Sequence, residues 1–279
     1  MKDLNVSDIS ITDLKKHIKI YDTDIVYFGG SLIESKVNKF SKGIGNYRSD
    51  LDLFIIRESI NFKDTSATYS SDEKKTSFFK LGKINVDVEI YDKDFVLELT
   101  ENINSIVFSL DSRIKNSFVF PGNTTNYGLN SFLNRLMNSL CIQNEQAYLD
   151  VKKNINIAKW QEFQKNYLIN SIENTLEDAV GNLEENKYEI AVLCTRNAFL
   201  DLVRYTIFFL HDLTDREKWL YIKLTNISIY HKEYKEMYKR FNLLFFSDLT
   251  TEENKRMIAL DCIKFIKIQI ESMVIGELI

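Results

Sequence analysis

The stretch from Asp24 to Arg57 constrains this chain most. It runs Asp-Ile-Val-Tyr-Phe-Gly-Gly-Ser, then a helix-like segment, then Gly-Asn-Tyr-Arg-Ser-Asp-Leu-Asp-Leu-Phe-Ile-Ile-Arg. The pattern predicts strand, tight turn, helix, loop and strand. The first strand, Asp24–Phe28, ends at Gly29 and Gly30, which lack the Cβ atoms that keep a phosphate away from the backbone. Ser31 opens the helix, whose free N–H groups and positive dipole end face the turn. Leu32, Ile33, Val37 and Phe40 are its expected buried face. In the second strand Asp50 and Asp52 alternate with Leu51, Leu53 and Ile55, so both carboxylates share one face. Carboxylates roughly 6–7 Å apart along a strand repel when both are ionised. A divalent cation relieves that repulsion. Hard oxygen ligands suit Mg²⁺ (or Mn²⁺), and Mg²⁺ normally also holds substrate phosphates. A phosphate cradle one strand away from a cation holder suits metal-assisted phosphoryl chemistry.

A third acidic strand follows. Ile84–Tyr91 reads Ile-Asn-Val-Asp-Val-Glu-Ile-Tyr, with Val86, Val88 and Ile90 on one face and Asp87 and Glu89 on the other. Asp87 and Glu89 are both candidates for a third carboxylate at the site. Before it, residues 58–76 read as a polar surface loop. Phe78–Leu81 with Gly82-Lys83 reads as a strand and hairpin turn. Lys42, Gly43, Gly45 and Arg48 form an expected mobile basic loop, with Arg48 a candidate for phosphate oxygens. Residues 10–21 are expected to be helical, capped by Ser10 or Thr12. Asp92 and Asp94 cap a helix with the stripe Phe95, Leu99, Ile103, Ile106, Leu110.

Pro121 is the chain's one proline, and Pro121-Gly122-Asn123 marks the expected boundary between residues 1–121 and an all-helical 122–279. In the second part a face through Leu129, Phe132, Leu133, Leu136, Met137 and Leu140 comes first. A long helix then runs to a cap at Gly181, and Tyr188–His211 is apolar nearly all round, as in the middle of a bundle. The expected fold class is α+β: a small mixed sheet followed by an all-α bundle.

Gly30-Ser31, a spacer, then Asp50-Leu51-Asp52-Leu53 resembles the signature of the DNA polymerase β-like nucleotidyltransferase superfamily. The resemblance covers about the first 120 residues; the 18 residues between Ser31 and Asp50 exceed the family's usual spacer. It implies that Gly29, Gly30 and Ser31 bind nucleotide phosphates, and that Asp50, Asp52 and Asp87 (or Glu89) hold the metal and carry catalysis. The segment Tyr188–Ala198 with Lys218-Trp219 resembles the helical domain of kanamycin-type small-molecule nucleotidyltransferases, akin to the HEPN bundle. The HEPN ribonuclease motif is absent, since Asp201 stands where its histidine would. Arg196 and Lys218 are then candidates for neutralising the triphosphate. Trp219, Trp160 and Phe208–Phe209 are candidate walls for an acceptor pocket between the two parts. The resemblance implies AMP transfer from ATP to a hydroxyl or amine of a small acceptor. Transfer onto a protein or tRNA, as in toxin–antitoxin systems, and a non-catalytic nucleotide-binding module are the rival readings.

Composition narrows the partners. Of 279 residues, 36 are basic and 40 acidic, a net charge of −4, which is no polyanion-binding footprint, so nucleic acid is not an expected partner. Cys141, Cys194 and Cys262 sit far apart in apolar runs and read as buried thiols of a reducing compartment. No stretch has the apolar length of a membrane span, and Met-Lys-Asp-Leu-Asn is no signal-peptide core, so a cytoplasmic location is expected. A homodimer is an open option.

Overall fold

The computed structural model describes residues 9–108 and 118–278, with side chains as far as Met273. In chain order the elements are α1 (Ile11–Lys15), β1 (Ile25–Gly29), α2 (Ser31–Val37), β2 (Leu51–Arg57), α3 (Ser59–Lys63), β3 (Tyr69–Ser70), β4 (Lys74–Leu81), β5 (Ile84–Asp92) and α4 (Lys93–Ser105). There follow α5 (Asn126–Met137), β6 (Leu140–Gln143), α6 (Glu145–Asn154), α7 (Ile157–Glu184), α8 (Tyr188–Phe209), α9 (Leu220–Tyr230), α10 (Lys235–Phe246) and α11 (Glu252–Leu278). The class is α+β, a six-stranded mixed sheet followed by a helical region. Two compact units divide it: Met1–Ser105 with Val119–Ile157, and Ile106–Phe118 with Ala158–Ile279.

The first unit is built on the sheet, in the order β3-β4-β5-β2-β1-β6. Only β2 and β5 run parallel; the other neighbours are antiparallel. Strand alternation sorts the side chains into two faces. On one, Val26, Phe28, Leu51, Leu53, Ile55, Val86, Val88 and Ile90 form a core with Leu14, Ile33 and Phe62 from α1, α2 and α3. The ion pair of Asp24 with Arg57 closes the end of that face, both side chains at most 1% exposed. Arg57 also donates to Thr65 Oγ1 and the Lys19 carbonyl, so each charge has its partners. On the other face Tyr27 and Phe54 stack, and Tyr91 packs against Phe95 of α4 and Phe132 of α5.

Several expectations are corrected. The boundary at Pro121–Gly122 gives way because Leu140–Gln143 forms β6 and pairs with β1, which ties α5 and α6 to the sheet. Leu140 is therefore a strand residue. The segment 58–76 contains α3, β3 and the start of β4. The first helix ends at Lys15, capped by Ser10 Oγ accepting from the Asp13 amide. Val37 is exposed, and its place on the buried face of α2 is taken by Glu34. Gly181 lies inside α7, and the chain breaks earlier, between α6 and α7. Cys262 is buried, but Cys141 and Cys194 are only half-buried. Leu110 lies outside the described residues.

The second unit is helical throughout its described part. α8 buries residues from Ala191 to Phe208 and packs chiefly on α11, but its expected all-round burial holds only toward its C-terminal end, since Ile190 and Leu193 near its start are exposed. Trp160 at the start of α7 is fully buried against Phe118 and Phe163.

Candidate functional site

Gly30 begins the site. Its φ of +73° is a conformation that a side chain resists, and it caps α2. A Cβ added there would lie 1.8 Å from Asp52 Oδ2. The space that the missing side chain leaves is thus filled by the carboxylate of Asp52, where the sequence alone suggested room for a phosphate. Gly29 is needed for a different contact. A Cβ there would meet the Phe54 ring at 3.0 Å and the Arg135 carbonyl at 3.1 Å, so its absence lets α5 lie close on β1. Gly45, with φ +77°, brings the loop before β2 back onto Ser31; a Cβ would sit 3.2 Å from Ser31 Oγ. Ile44, 3% exposed, anchors that loop.

The strands bring the carboxylates together. Gly29 is paired with Asp52 across β1 and β2, and Asp52 with Asp87 across β2 and β5. Cross-strand partners project to one face, ~4.8 Å apart at the backbone. Asp50 precedes β2 on the same side. Burial pushes the Asp87 carboxyl above its ordinary range, the charges of Asp50 and Glu89 push it further, and Arg135 opposes. These three aspartates stand as a row rather than a closed cage: among the described residues no three His, Cys, Asp or Glu side chains are gathered closely enough to hold an ion.

Glu89 is engaged elsewhere. Its carboxylate accepts from the Tyr91 hydroxyl at 2.6 Å and lies 3.4 Å from both Arg135 Nη1 and Lys74 Nζ. Burial, then the nearby Glu89 charge, raises Tyr91 and Tyr27 well above ordinary phenol values. Arg135 lies with its guanidinium 5.6 Å from the Phe54 ring centroid. Glu34, 3% exposed, accepts from Ser41 Oγ at 2.7 Å and from Asn134 Nδ2 at 3.0 Å, which locks the helix behind the Gly30–Ser31 turn to α5. Glu34, Asn134 and Arg135 were missed by sequence reasoning. The available signal was three polar residues inside otherwise apolar helical stripes.

The remaining candidates are placed as follows. Arg48 is exposed in its loop, its guanidinium 5.3 Å from the Tyr47 ring centroid. Arg196 belongs to the helical unit, where Nε donates to the Leu244 carbonyl at 2.9 Å and the guanidinium lies 5.5 Å from the Phe245 ring centroid. Lys218, also there, has Nζ 4.8 Å from the Trp219 ring centroid. Trp160 and Phe208 are core residues, not pocket walls. A cavity of about 480 Å³ lined by His17, Tyr21, Arg57, Thr65 and Phe79 includes none of the site carboxylates.

No family model matches the sequence, and no curated protein matches it. Among solved structures the chain is similar to a nucleotidyltransferase-like protein from Exiguobacterium sibiricum 255-15, at 11% identity and a TM-score of 0.45, covering 87% of this chain and 67% of that one.

Proposed function

We propose that the first unit is a divalent-cation-dependent nucleotidyltransferase site that moves a nucleoside monophosphate, AMP from ATP, onto a hydroxyl or amine of a small acceptor. The observation that carries the reading is the seat of Asp52: its carboxylate fills the space beside Gly30, abreast of Asp87. Asp50, Asp52 and Asp87 offer the hard oxygens that Mg²⁺ prefers, in the open arrangement described above, and burial with the charges of Asp50 and Glu89 raises Asp87. Held by those three, the cation would neutralise the triphosphate and lower the pKa of an acceptor hydroxyl.

The chain's own residues divide the remaining work. Gly30 and Ser31 position the β- and γ-phosphates at the start of α2. Glu34 and Asn134 hold that turn in place. Glu89, occupied by Arg135, Lys74 and Tyr91, is a positioning residue, which leaves Asp87 as the third carboxylate. In the transfer the acceptor oxygen or nitrogen bonds to the α-phosphorus, the α–β bridging P–O bond breaks, and pyrophosphate leaves with the electron pair. The acceptor's proton goes to solvent. Arg48, Arg196 and Lys218 are the cations whose substitution tests for an effect on triphosphate binding.

The test is calorimetry of ATP, GTP, CTP and UTP with Mg²⁺, followed by pyrophosphate release against host metabolites. Asp50→Ala with Asp52→Ala should abolish release and leave the fold intact by circular dichroism. Turnover retained in that double variant rejects the assignment.

A further inference from the structure

The strand register continues the row beyond the carboxylates. Gly29 faces Asp52, Asp52 faces Asp87, and Asp87 faces Phe78 of β4. The row crosses four strands, about 14 Å from the glycine turn to the aromatic ring. Phe78 is 51% exposed, whereas the next residue, Phe79, points to the opposite face and packs on the core. Tyr69, 67% exposed, comes in from β3. It pairs with Thr76 and so shares the face of Phe78. The two rings meet edge to face, centroids 6.1 Å apart and planes at 82°. A singly exposed aromatic is ordinary. Two of them fixed against each other at the end of a carboxylate row leave apolar area in water that burial would stabilise, and they offer a flat surface to a ligand.

We propose that Phe78 and Tyr69 form the acceptor subsite, and that the acceptor is a small molecule with a planar ring beside its reacting hydroxyl or amine. This rests on the transferase reading above. The phosphate end of the row is at Gly30, so the acceptor approaches from the β4 end. A ring stacked on Phe78, with Tyr69 as a side wall, sets its nucleophile beside Asp87. A nucleic-acid strand fits less well. It needs a stripe of cations, and this face of β4 carries only Lys74, which is paired with Glu89, and Lys80.

The experiment uses the full chain with Mg²⁺ and α,β-methylene-ATP. Binding of that analogue is measured first, and its absence refutes the transferase reading and this one with it. The saturated complex is then titrated with adenosine and tyramine as ring-bearing probes, and with ribose and a saturated aminocyclitol as ringless controls. We expect at least one ring-bearing probe to bind and the controls to fail. Phe78→Ala should weaken the probe about tenfold or more, the scale of one base–aromatic stack, Tyr69→Ala should weaken it less, and Phe78→Trp should retain it. The analogue's affinity should stay within twofold throughout. Analogue binding with no ring-bearing probe bound, with equal binding to Phe78→Ala, or with preference for the aminocyclitol or a short oligonucleotide overturns the acceptor assignment alone.

Discussion

The two faces of the sheet treat charge in opposite ways. On the face sealed by α1, α2 and α3, the charged side chains of Asp24, Arg57 and Lys75 are buried among partners. Asp24 and Arg57 satisfy each other, and Lys75, 7% exposed, donates to the carbonyls of Phe62, Lys63 and Thr65 at the C-terminal end of α3. On the other face Asp50, Asp52 and Asp87 stand near one another, half-buried, and burial followed by the charges of Asp50 and Glu89 pushes Asp87 upward. A buried pair with complete hydrogen bonding is architecture. A crowd of like charges at a glycine turn raises the free energy of the fold, so its retention points to a ligand that relieves it. The comparison predicts that substitutions on the first face cost stability and substitutions on the second cost activity.

The largest effect should come from the sealed face. Arg57→Met leaves the Asp24 carboxylate buried without its partner, so unfolding in denaturant should show a loss of about 3–5 kcal/mol. Adding Asp24→Leu should restore much of it, because the remaining charge is gone. A loss below about 1 kcal/mol in the single variant would place this pair with ordinary surface ion pairs and erase the contrast.

A pair of glycines sharpens the contrast at the site. Gly30 and Gly43 both have positive φ, +73° and +93°, but a Cβ on Gly43 meets nothing within 4 Å. Gly43→Ala should cost about 1 kcal/mol of backbone strain and no activity. Gly30→Ala adds a collision with Asp52, so it should cost about 2–3 kcal/mol and suppress turnover through displacement of that carboxylate. The extra cost should vanish in an Asp52→Gly background, which a double-mutant cycle of unfolding free energies reads directly. Additivity of the two substitutions would mean that Asp52 does not sit against the turn.

What the sequence made legible follows from periodicity. The alternation in Leu51–Arg57 and Ile84–Asp92 placed Asp52, Asp87 and Glu89 on one face, because a two-residue repeat is a local property of the backbone. The same repeat could not say which carboxylate is already engaged. Arg135 lies 46 residues from Glu89 and arrives on a helix whose stripe predicts burial but not the partner. The strand Leu140–Gln143 went unread for a related reason. Four residues after a helix carry too little pattern, and they are extended because β1 offers an edge. Proline punctuation at Pro121 is equally local, whereas the unit boundary depends on that distant pairing. Asp24 and Arg57 are 33 residues apart, and nothing in either strand's alternation announces that they meet.

The smallest effect tests the crowding itself. Because the folded chain raises the pKa of Asp87, it holds that proton more tightly than the unfolded chain does. The resulting stabilisation is complete below the unfolded aspartate pKa and is lost as pH rises through the folded value. At pH 7 the ionised Asp87 is therefore a net liability to the fold when chelator keeps cations away. Asp87→Asn, nearly isosteric and uncharged, should raise the melting temperature slightly at pH 7 in EDTA, with the gain shrinking as pH falls through the raised pKa. The same variant should lose transferase activity, and Mg²⁺ should stabilise it less than it stabilises the natural chain. Glu89→Gln should behave in the opposite sense, lowering the melting temperature, because it removes the charge that Arg135 and Lys74 meet. If Asp87→Asn melts lower than the natural chain at pH 7, the row is held by partners of its own, and the two faces differ in exposure rather than in how they treat charge.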